Sequence, residues 1–412
     1  MTARNGPNVV FILADNVGWG DWGCYGGQTP TPRIDALASE GTRLTNYTVE
    51  AQCTPTRSAI LTGRLPVRSG TTQVPLSPST PYGLCPWEYT LAELLSDAGY
   101  ATAAYGKWHL GAVEGRLPTD HGFDEWWGLM NTTDEAGYTQ YAGYNNLLKD
   151  KFPLPLAIGM GVGESPKLWE ANKGRKASEA GDLDMKVRPF LDEMIVERAT
   201  RYIKRRAAAG QPIFTYIAFT HVHPPEAVHP DFHRKSGTRL GLYADIMAEM
   251  DHRVGQILDA IEAAGIIDDT VVVLSSDNAT GGVAAVPGGS NGPWRGDFFT
   301  LPYEGSYRVP AIVRWPGKIP ADRVTNNMLS AGRLDAYPRR AGRGNHPYPD
   351  GQANRRGRRL GLSDRPGPEL AAPVRPALRA GWQADVRKDQ LRQGRVPVRR
   401  WDRQPCRRAD AP

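Results

Sequence analysis

Two continuous apolar runs constrain the fold of this chain more than any other feature. One occupies residues 8–14 (NVVFILA) and the other residues 270–275 (TVVVLS). Such unbroken runs are typical of strands that are buried on both faces, as in parallel sheets covered by helices. Strand and helix patterns alternate over the first 330 residues. The sequence therefore predicts an α/β fold in which a central sheet carries helices on both faces.

Each apolar run ends in an acid followed by an amide. The pairs are Asp15-Asn16 and Asp277-Asn278. In open α/β sheets, ligands bind beyond the carboxyl ends of the strands. Because Ca²⁺ and Mg²⁺ prefer carboxylate and amide oxygens, the two pairs together predict a divalent-cation site. The alternative for Asp15 alone is a turn or capping residue.

A single cysteine, Cys53, lies directly before a predicted helix. Pro55 suits the first turn of that helix because its missing N–H would be unpaired there anyway. Cys53 would then face free N–H groups and the positive end of the helix dipole, and Arg57 would lie one turn on, close enough to hold an anion. The segment fits a nucleophile in an anion-binding site. It fits equally well a small buried cysteine before an ordinary helix.

Two other predicted strands lead into basic side chains. Lys107 and His109 follow one of them, and residues two apart in an extended chain project to the same side. This pair could hold an anionic substrate, although taken alone it also fits a surface lysine and a packed histidine. His221 and His223 follow the other strand, where they could act as acid–base groups or metal ligands.

Apolar residues at helical spacing predict further helices that begin near Pro32, Leu91, Leu191 and Tyr243. These helices fall between the predicted strands, as an α/β sheet requires. Residues 131–185, by contrast, are rich in Gly, Pro, Asn and Tyr. We predict that they form long surface loops that shape a substrate pocket.

The cysteines and the N-terminal residues indicate where in the cell the protein is expected. Cys24, Cys53, Cys85 and Cys406 show no spacing typical of a zinc ribbon or a disulfide framework. The first apolar run is too short for a signal peptide or a membrane span. The expectation is a soluble cytoplasmic protein with no membrane partner.

Five motifs, taken in order, resemble those of the sulfatases whose cysteine is converted to formylglycine. The motifs occupy residues 8–20, 53–64, 106–111, 276–278 and 309–317. The resemblance runs from about residue 8 to about residue 330. It implies the alkaline-phosphatase-like α/β sandwich with a central mixed sheet and helices on both faces. The family's small C-terminal sheet has no counterpart in the sequence that follows.

The resemblance also implies roles for the basic residues. Cys53 would become formylglycine through a formylglycine-generating enzyme, and its hydrate would attack the sulfur of a small-molecule sulfate ester. Arg57 would stabilise the hydrate, Lys107 would hold a sulfate oxygen, and His109 would bond the hydrate and assist elimination. Sulfate ester hydrolysis of arylsulfatase type is the function implied.

The remaining implied roles concern the leaving group, the substrate and the metal. His223 matches the family's His-x-Pro position and would protonate the leaving oxygen, with His221 as the alternative. The implied ligands of Ca²⁺ or Mg²⁺ are Asp15, Asn16, Cys53, Asp277 and Asn278.

Three departures from the family pattern bear on the efficiency of this site. Asn16 replaces the second of two consecutive acids, so we expect weaker metal binding. Ala279 replaces a glycine. The stretch after Pro293 lacks the second sulfate-binding lysine, and Arg295 is the candidate for that role. The alternatives to a sulfatase are a phosphate or phosphonate ester hydrolase of the same superfamily and an inactive, truncated sulfatase remnant.

The last part of the chain differs in composition from the rest. Residues 331–412 carry 20 basic and 8 acidic residues, whereas residues 1–330 carry 30 basic and 36 acidic ones. The segment is rich in Arg, Pro and Gly without apolar periodicity, so it cannot bury a core. We therefore predict a catalytic domain at residues 1–330 and a disordered tail at residues 331–412.

We predict that one inserted base near Ala331 shifted the reading frame and produced this tail. Shifted by one base, codons for residues 332–337 permit Val-Asp-Trp-Met-Pro, and sulfatases carry a similar phrase at this place. The basic charge of the tail is then a by-product of the shift, and we expect no nucleic-acid partner.

Overall fold

The predicted strands come together in one ten-stranded mixed sheet in the computed structural model, which describes residues 6–75, 81–138, 166–281 and 288–333. The strands in chain order are β1 (Asn8–Ala14), β2 (Thr42–Leu44), β3 (Tyr47–Thr48), β4 (Ala101–Lys107), β5 (Glu125–Leu129), β6 (Lys167–Asn172), β7 (Ser178–Asp182), β8 (Ile213–Ala218), β9 (Thr270–Ser276), β10 (Ala311–Arg314), β11 (Arg323–Thr325) and β12 (Leu329–Ser330). The order across the sheet is β11-β2-β10-β9-β1-β8-β4-β5-β6-β7, and β12 pairs with β3 outside it.

The helices lie between these strands. They are α1 (Pro32–Ser39), α2 (Cys53–Thr62), α3 (Pro66–Ser69), α4 (Leu91–Asp97), α5 (Glu135–Tyr138), α6 (Leu191–Ala208) and α7 (Leu242–Ala263). The starts of α1, α4 and α6 coincide with the predicted residues, and α7 begins one residue early. In α4 the start is specified by a capping box, in which Thr90 and Glu93 satisfy each other's backbone N–H groups. No helix of the described residues is long and apolar enough to cross a membrane.

The centre of the sheet is parallel and its borders are antiparallel. Strand β1 pairs in parallel with both β8 and β9, and β4 pairs in parallel with β8 and β5. The pairs β9–β10, β10–β2, β5–β6 and β6–β7 are antiparallel. Because β1, β4, β8 and β9 point the same way, their carboxyl ends meet at one edge.

Alternate side chains of β1 enter two separate cores. Val10 and Ile12 pack in a core with α1, α6 and α7, whereas Phe11 and Leu13 pack in a core with α2 and α4. Both apolar runs are buried along their whole length. The predicted α/β sandwich, a central mixed sheet with helices on both faces, is confirmed.

The prediction of surface loops over residues 131–185 is wrong in part. Strands β6 and β7, at residues 167–172 and 178–182, extend the sheet at its edge, and α5 lies at residues 135–138. Burial alternates only weakly along β6, and most residues of β7 are exposed. Such edge strands carry little of the apolar pattern that identifies a strand in a sequence.

Two predictions lie outside the described residues. The loop prediction at residues 139–165 is one of them. The other is the tail from residue 334 onward, including its frameshift origin and the missing C-terminal sheet.

Candidate active site

The candidate nucleophile is the first residue of α2. Gln52 before it is extended, and the helix then runs from Cys53 through Pro55, with every residue buried. Only 1% of Cys53 is exposed. Its Sγ lies 3.2 Å from Asn278 Oδ1, 3.5 Å from Lys107 Nζ and 3.7 Å from Asp15 Oδ1. The cysteine at the start of α2, the lysine at the end of β4 and one member of each polar pair thus meet at one point.

Two acidic and two basic side chains of this cluster form ion pairs with one another. Lys107 Nζ donates to Asp15 Oδ2 at 2.6 Å. Arg57 donates through Nε and Nη2 to Asp277 Oδ2 at 3.0 and 2.8 Å, and Nη2 is 3.4 Å from Asp15 Oδ2. All four side chains are completely buried. Their formal charges cancel, which is the condition under which buried charges are tolerated.

The environment moves the pKa values of these groups in different directions. Burial alone would raise the pKa of Asp15, but Lys107, His223 and Arg57 outweigh burial and lower the pKa to about 2. The pKa of Asp277 is raised by burial and by the neighbouring Asp15 charge, against the effect of Arg57. Burial and Asp277 also raise the pKa of the Cys53 thiol well above its usual value. The cysteine is therefore a neutral thiol, which is a poor nucleophile.

His109 offers an unpartnered imidazole. It is buried, and neither ring nitrogen has a hydrogen-bond partner in the described part of the chain. Burial, Lys107 and Arg57 lower the pKa of His109 well below its usual value, so the ring is neutral. The backbone there has a positive φ of 57°, and Thr54 Oγ1 donates to the His109 carbonyl at 2.6 Å. This contact fixes His109 to the helix that begins with Cys53.

The structure brings one of the two candidate histidines to the cluster. A nitrogen of His223, a carboxylate oxygen of Asp15 and Cys53 Sγ all lie within 4.8 Å of one another. His221 lies elsewhere, with Nε2 3.5 Å from both Asp192 Oδ2 and Glu249 Oε2. Its ring therefore belongs to a buried network of acids and bases between α6 and α7.

The donor set suits a hard cation. Asn16 has a positive φ of 64° and donates its backbone N–H to Asp277 Oδ1 at 3.3 Å. Its side-chain oxygen accepts from Asn278 Nδ2, which leaves Asn278 Oδ1 directed at Cys53. Two carboxylates and two amides thus meet at the ends of β1 and β9, and these are the oxygen ligands that Ca²⁺ and Mg²⁺ prefer. The raised pKa of Asp277 fits a carboxylate that a cation would stabilise.

Arg295 is not brought to this cluster. Its side chain is exposed, and the guanidinium carbon lies 4.1 Å from the ring centroid of Tyr303. Among the described residues it has no hydrogen bond or ion pair with the buried groups around Cys53. Its role as a second sulfate ligand stays a prediction.

Sequence reasoning missed a buried acid that fastens the loop after β1. The Asp21 carboxylate accepts from Gly18 N at 2.6 Å, Ser290 N at 2.7 Å and the Tyr243 hydroxyl at 2.6 Å. It thereby joins three segments that are distant in the chain. The only signal for it in the sequence is its place at the end of the glycine-rich stretch.

The buried Asp21 should make the free energy of unfolding of the protein depend on pH. Burial raises the pKa of Asp21 from 3.8 to about 7, although hydrogen bonds from Tyr243, Gly18 and Ser290 oppose the change. The folded protein therefore holds this proton up to about pH 7, while the unfolded chain loses it near pH 4. Between these values the folded state binds more protons, so its stability falls as the pH rises.

The substitution Asp21→Asn removes this titration. Relative to wild type, the free energy of unfolding of the variant should rise with pH, by at most about 1.4 kcal/mol per pH unit. Urea unfolding across this range measures it, with the exposed Asp268→Asn as control. A constant difference between Asp21→Asn and wild type would contradict the expectation.

Fold and site together define the class, an alkaline-phosphatase-like α/β protein with a buried cysteine among acids, bases and amides. The sulfatase family model matches residues 7–336. The chain therefore belongs to the sulfatase family.

Individual relatives agree with this assignment. The chain is 36% identical over 334 residues to N-acetylgalactosamine-6-sulfatase of Canis lupus familiaris, an alignment covering 79% of this chain and 60% of that protein. It is 34% identical over 355 residues to human arylsulfatase A, with 84% and 65% covered. The solved structure of the PsFucS1 sulfatase from Pseudoalteromonas sp. superposes with a TM-score of 0.73 at 30% identity, covering 82% of this chain and 68% of that one. The chain thus spans less than two thirds of the length of the two curated relatives.

Proposed function

We propose that this chain hydrolyses sulfate esters of small molecules, in the manner of an arylsulfatase, at the cluster around Cys53. The observation that carries the proposal is the set of contacts at Sγ, where Lys107, Asp15 and Asn278 all lie within 3.7 Å. A reacting group at this position has a cation beside it for a sulfate oxygen and oxygen ligands for a metal. Membership of the sulfatase family supports the same activity.

The unmodified thiol of Cys53 is poorly suited to act as the nucleophile. A buried thiol whose pKa is raised is not an effective nucleophile at neutral pH. We infer that a formylglycine-generating enzyme converts Cys53 to formylglycine. The hydrated aldehyde supplies one hydroxyl that attacks the sulfur and a second whose deprotonation releases the sulfate.

Lys107 and His109 act on the sulfate side of the reaction. The buried Lys107 ammonium binds a sulfate oxygen through a charge-assisted hydrogen bond. His109 is neutral and has both nitrogens free within the described residues, so it can accept the proton that leaves when sulfate is released. Arg57 holds Asp15 and Asp277 in place and offsets their charge.

His223 acts on the alcohol side. Its Nδ1 lies 2.7 Å from the Pro224 carbonyl, an acceptor, so Nδ1 carries a hydrogen and is used there. To act as the acid, the ring must be the imidazolium, whose Nε2–H gives its proton to the leaving oxygen as the sulfur–oxygen bond breaks, leaving a neutral ring with its hydrogen on Nδ1. Thr132 Oγ1, 3.3 Å from Nε2, orients the ring.

Asp15, Asn16, Asp277 and Asn278, together with the side chain at position 53, would hold Ca²⁺ or Mg²⁺. When bound, the ion would draw electron density from the sulfate oxygens. Asn16 supplies an amide where a carboxylate would add charge, so these four residues would contribute two formal negative charges to a bound ion.

A direct assay tests the proposal. The protein is made together with a formylglycine-generating enzyme and offered 4-nitrophenyl sulfate or 4-nitrophenyl phosphate with Ca²⁺. We expect faster turnover of the sulfate. Faster turnover of the phosphate would support the phosphate ester alternative, and turnover of neither ester would support the inactive remnant.

Metal affinity gives a second test. The substitution Asn16→Asp adds a carboxylate to the donor set, and aspartate tolerates the left-handed backbone that Asn16 adopts. We expect Ca²⁺ to bind at least about tenfold more tightly, equivalent to about 1.4 kcal/mol. Without Ca²⁺ the variant should melt at a lower temperature than wild type, because it buries an unpaired charge.

Thermal unfolding over a Ca²⁺ titration measures both effects. Asn327→Asp, at an exposed position, adds the same charge away from the site and serves as control. An identical response to Ca²⁺ in Asn16→Asp and wild type would exclude position 16 from the donor set.

A further inference from the structure

The loop that carries His223 has an unusual anchor. The Arg188 side chain is 1% exposed, and its guanidinium donates to Thr220 Oγ1 at 3.0 Å, to the Thr220 carbonyl at 3.1 Å and to the His223 carbonyl at 2.9 Å. One side chain therefore satisfies two backbone acceptors beyond the end of β8, where the sheet no longer provides donors.

Asp192 completes the anchor from the first turn of α6. Its Oδ1 accepts from Thr220 N at 2.7 Å, and Oδ2 accepts from the Thr220 hydroxyl. Oδ2 also lies 3.6 Å from Arg188 Nη1, so the buried charge of Arg188 is paired. Between them, the two side chains bind the Thr220 backbone on both its N–H and its carbonyl.

The same loop is joined to Asp15. Val222 N donates to the Asp15 carbonyl at 2.6 Å, and Asp15 N donates to the His221 carbonyl at 2.8 Å. A shift of the loop therefore moves His223 relative to the cluster around Cys53. Neither Arg188 nor Asp192 has a hydrogen bond or ion pair with Cys53, Lys107 or Asp15 within the described residues, so the hydrogen bonds that link both to the cluster run through the loop.

We propose that Arg188 and Asp192 are positioning residues that hold His223 in place to protonate the leaving oxygen. The proposal rests on the proposed function for its kinetic consequence, but the geometric claim stands on the contacts alone. The planar fork of arginine spreads its donors over separate nitrogens, and Nη1 and Nη2 together reach the three acceptors, whereas lysine carries all its donors on one nitrogen.

The kinetic test uses leaving groups of different acidity. Phenyl sulfate needs a proton on its leaving oxygen more than 4-nitrophenyl sulfate does, because phenol is the weaker acid. Arg188→Lys and Asp192→Asn should therefore lower kcat for phenyl sulfate at least about tenfold more than for 4-nitrophenyl sulfate. His223→Ala sets the scale, and Arg201→Lys, an exposed site on α6, is the control. The proposal would be overturned if Arg188→Lys and Asp192→Asn lowered kcat by the same factor for both esters, while His223→Ala lowered kcat far more for phenyl sulfate than for 4-nitrophenyl sulfate.

A spectroscopic test separates this proposal from the proposed function. In protein labelled with ¹⁵N-histidine, His223→Ala identifies the His223 ring signals among the 8 histidines. Arg188→Lys or Asp192→Asn should shift those signals and leave the signals of the distant His121 unchanged, whether or not either ester is hydrolysed. Unshifted His223 signals in both variants would overturn the positioning role. Absence of turnover in wild type would overturn only the proposed activity.

Discussion

Cys53→Ala, made together with a formylglycine-generating enzyme, is expected to lose sulfate ester hydrolysis and to keep its fold. Loss of a covalent nucleophile typically costs on the order of 10⁴- to 10⁶-fold in kcat. The variant removes only a sulfur atom from the start of α2, so the surrounding helix and strand ends remain. Turnover of 4-nitrophenyl sulfate and far-ultraviolet circular dichroism measure the two properties.

The matched control is Cys85→Ala, which removes a free cysteine that is only partly buried. We expect it to retain activity. Activity in Cys53→Ala equal to that of wild type would remove Cys53 from the mechanism.

Arg57→Ala is expected to have the largest effect on stability. The substitution leaves Asp15 and Asp277 as two buried carboxylates with only Lys107 as a compensating cation. Removing one partner of a buried ionic group typically costs about 3–5 kcal/mol. Urea unfolding without metal measures this loss, and added Ca²⁺ should recover part of it by offsetting the uncompensated charge of the two buried acids.

Arg33→Ala is the matched control. Arg33 pairs with Asp259 at the surface, where the two side chains are 43% and 59% exposed, so its loss should cost no more than about 1 kcal/mol. Equal losses of stability in Arg57→Ala and Arg33→Ala would contradict the buried cluster as described.

The sequence predicted the centre of the fold because burial on both faces leaves a strong pattern. Strands β1 and β9 read as unbroken apolar runs, and both are buried throughout. The polar pairs after them converge because parallel strands end at one edge of the sheet. Strands β6 and β7 left no comparable pattern, since an edge strand exposes much of its surface.

The contacts around the site were harder to foresee. Lys107 pairs with Asp15 and Arg57 pairs with Asp277, and each partner of opposite charge lies far away in the chain. No local sequence pattern specifies such pairs. Arg188 and Asp21 hold loops through backbone atoms, which any residue type provides. Whether His221 or His223 faces Cys53 depends on how the loop after β8 turns, which spacing alone does not determine.

We propose that the residue at position 53, once converted, is the nucleophile of this sulfatase. Mass spectrometry of the peptide that contains Cys53 tests it most directly, using protein made in a host that converts a control sulfatase in the same culture. The expected result is the mass of formylglycine at position 53, with Cys24 and Cys85 unchanged. An unmodified cysteine at position 53, beside a fully converted control sulfatase, would contradict it.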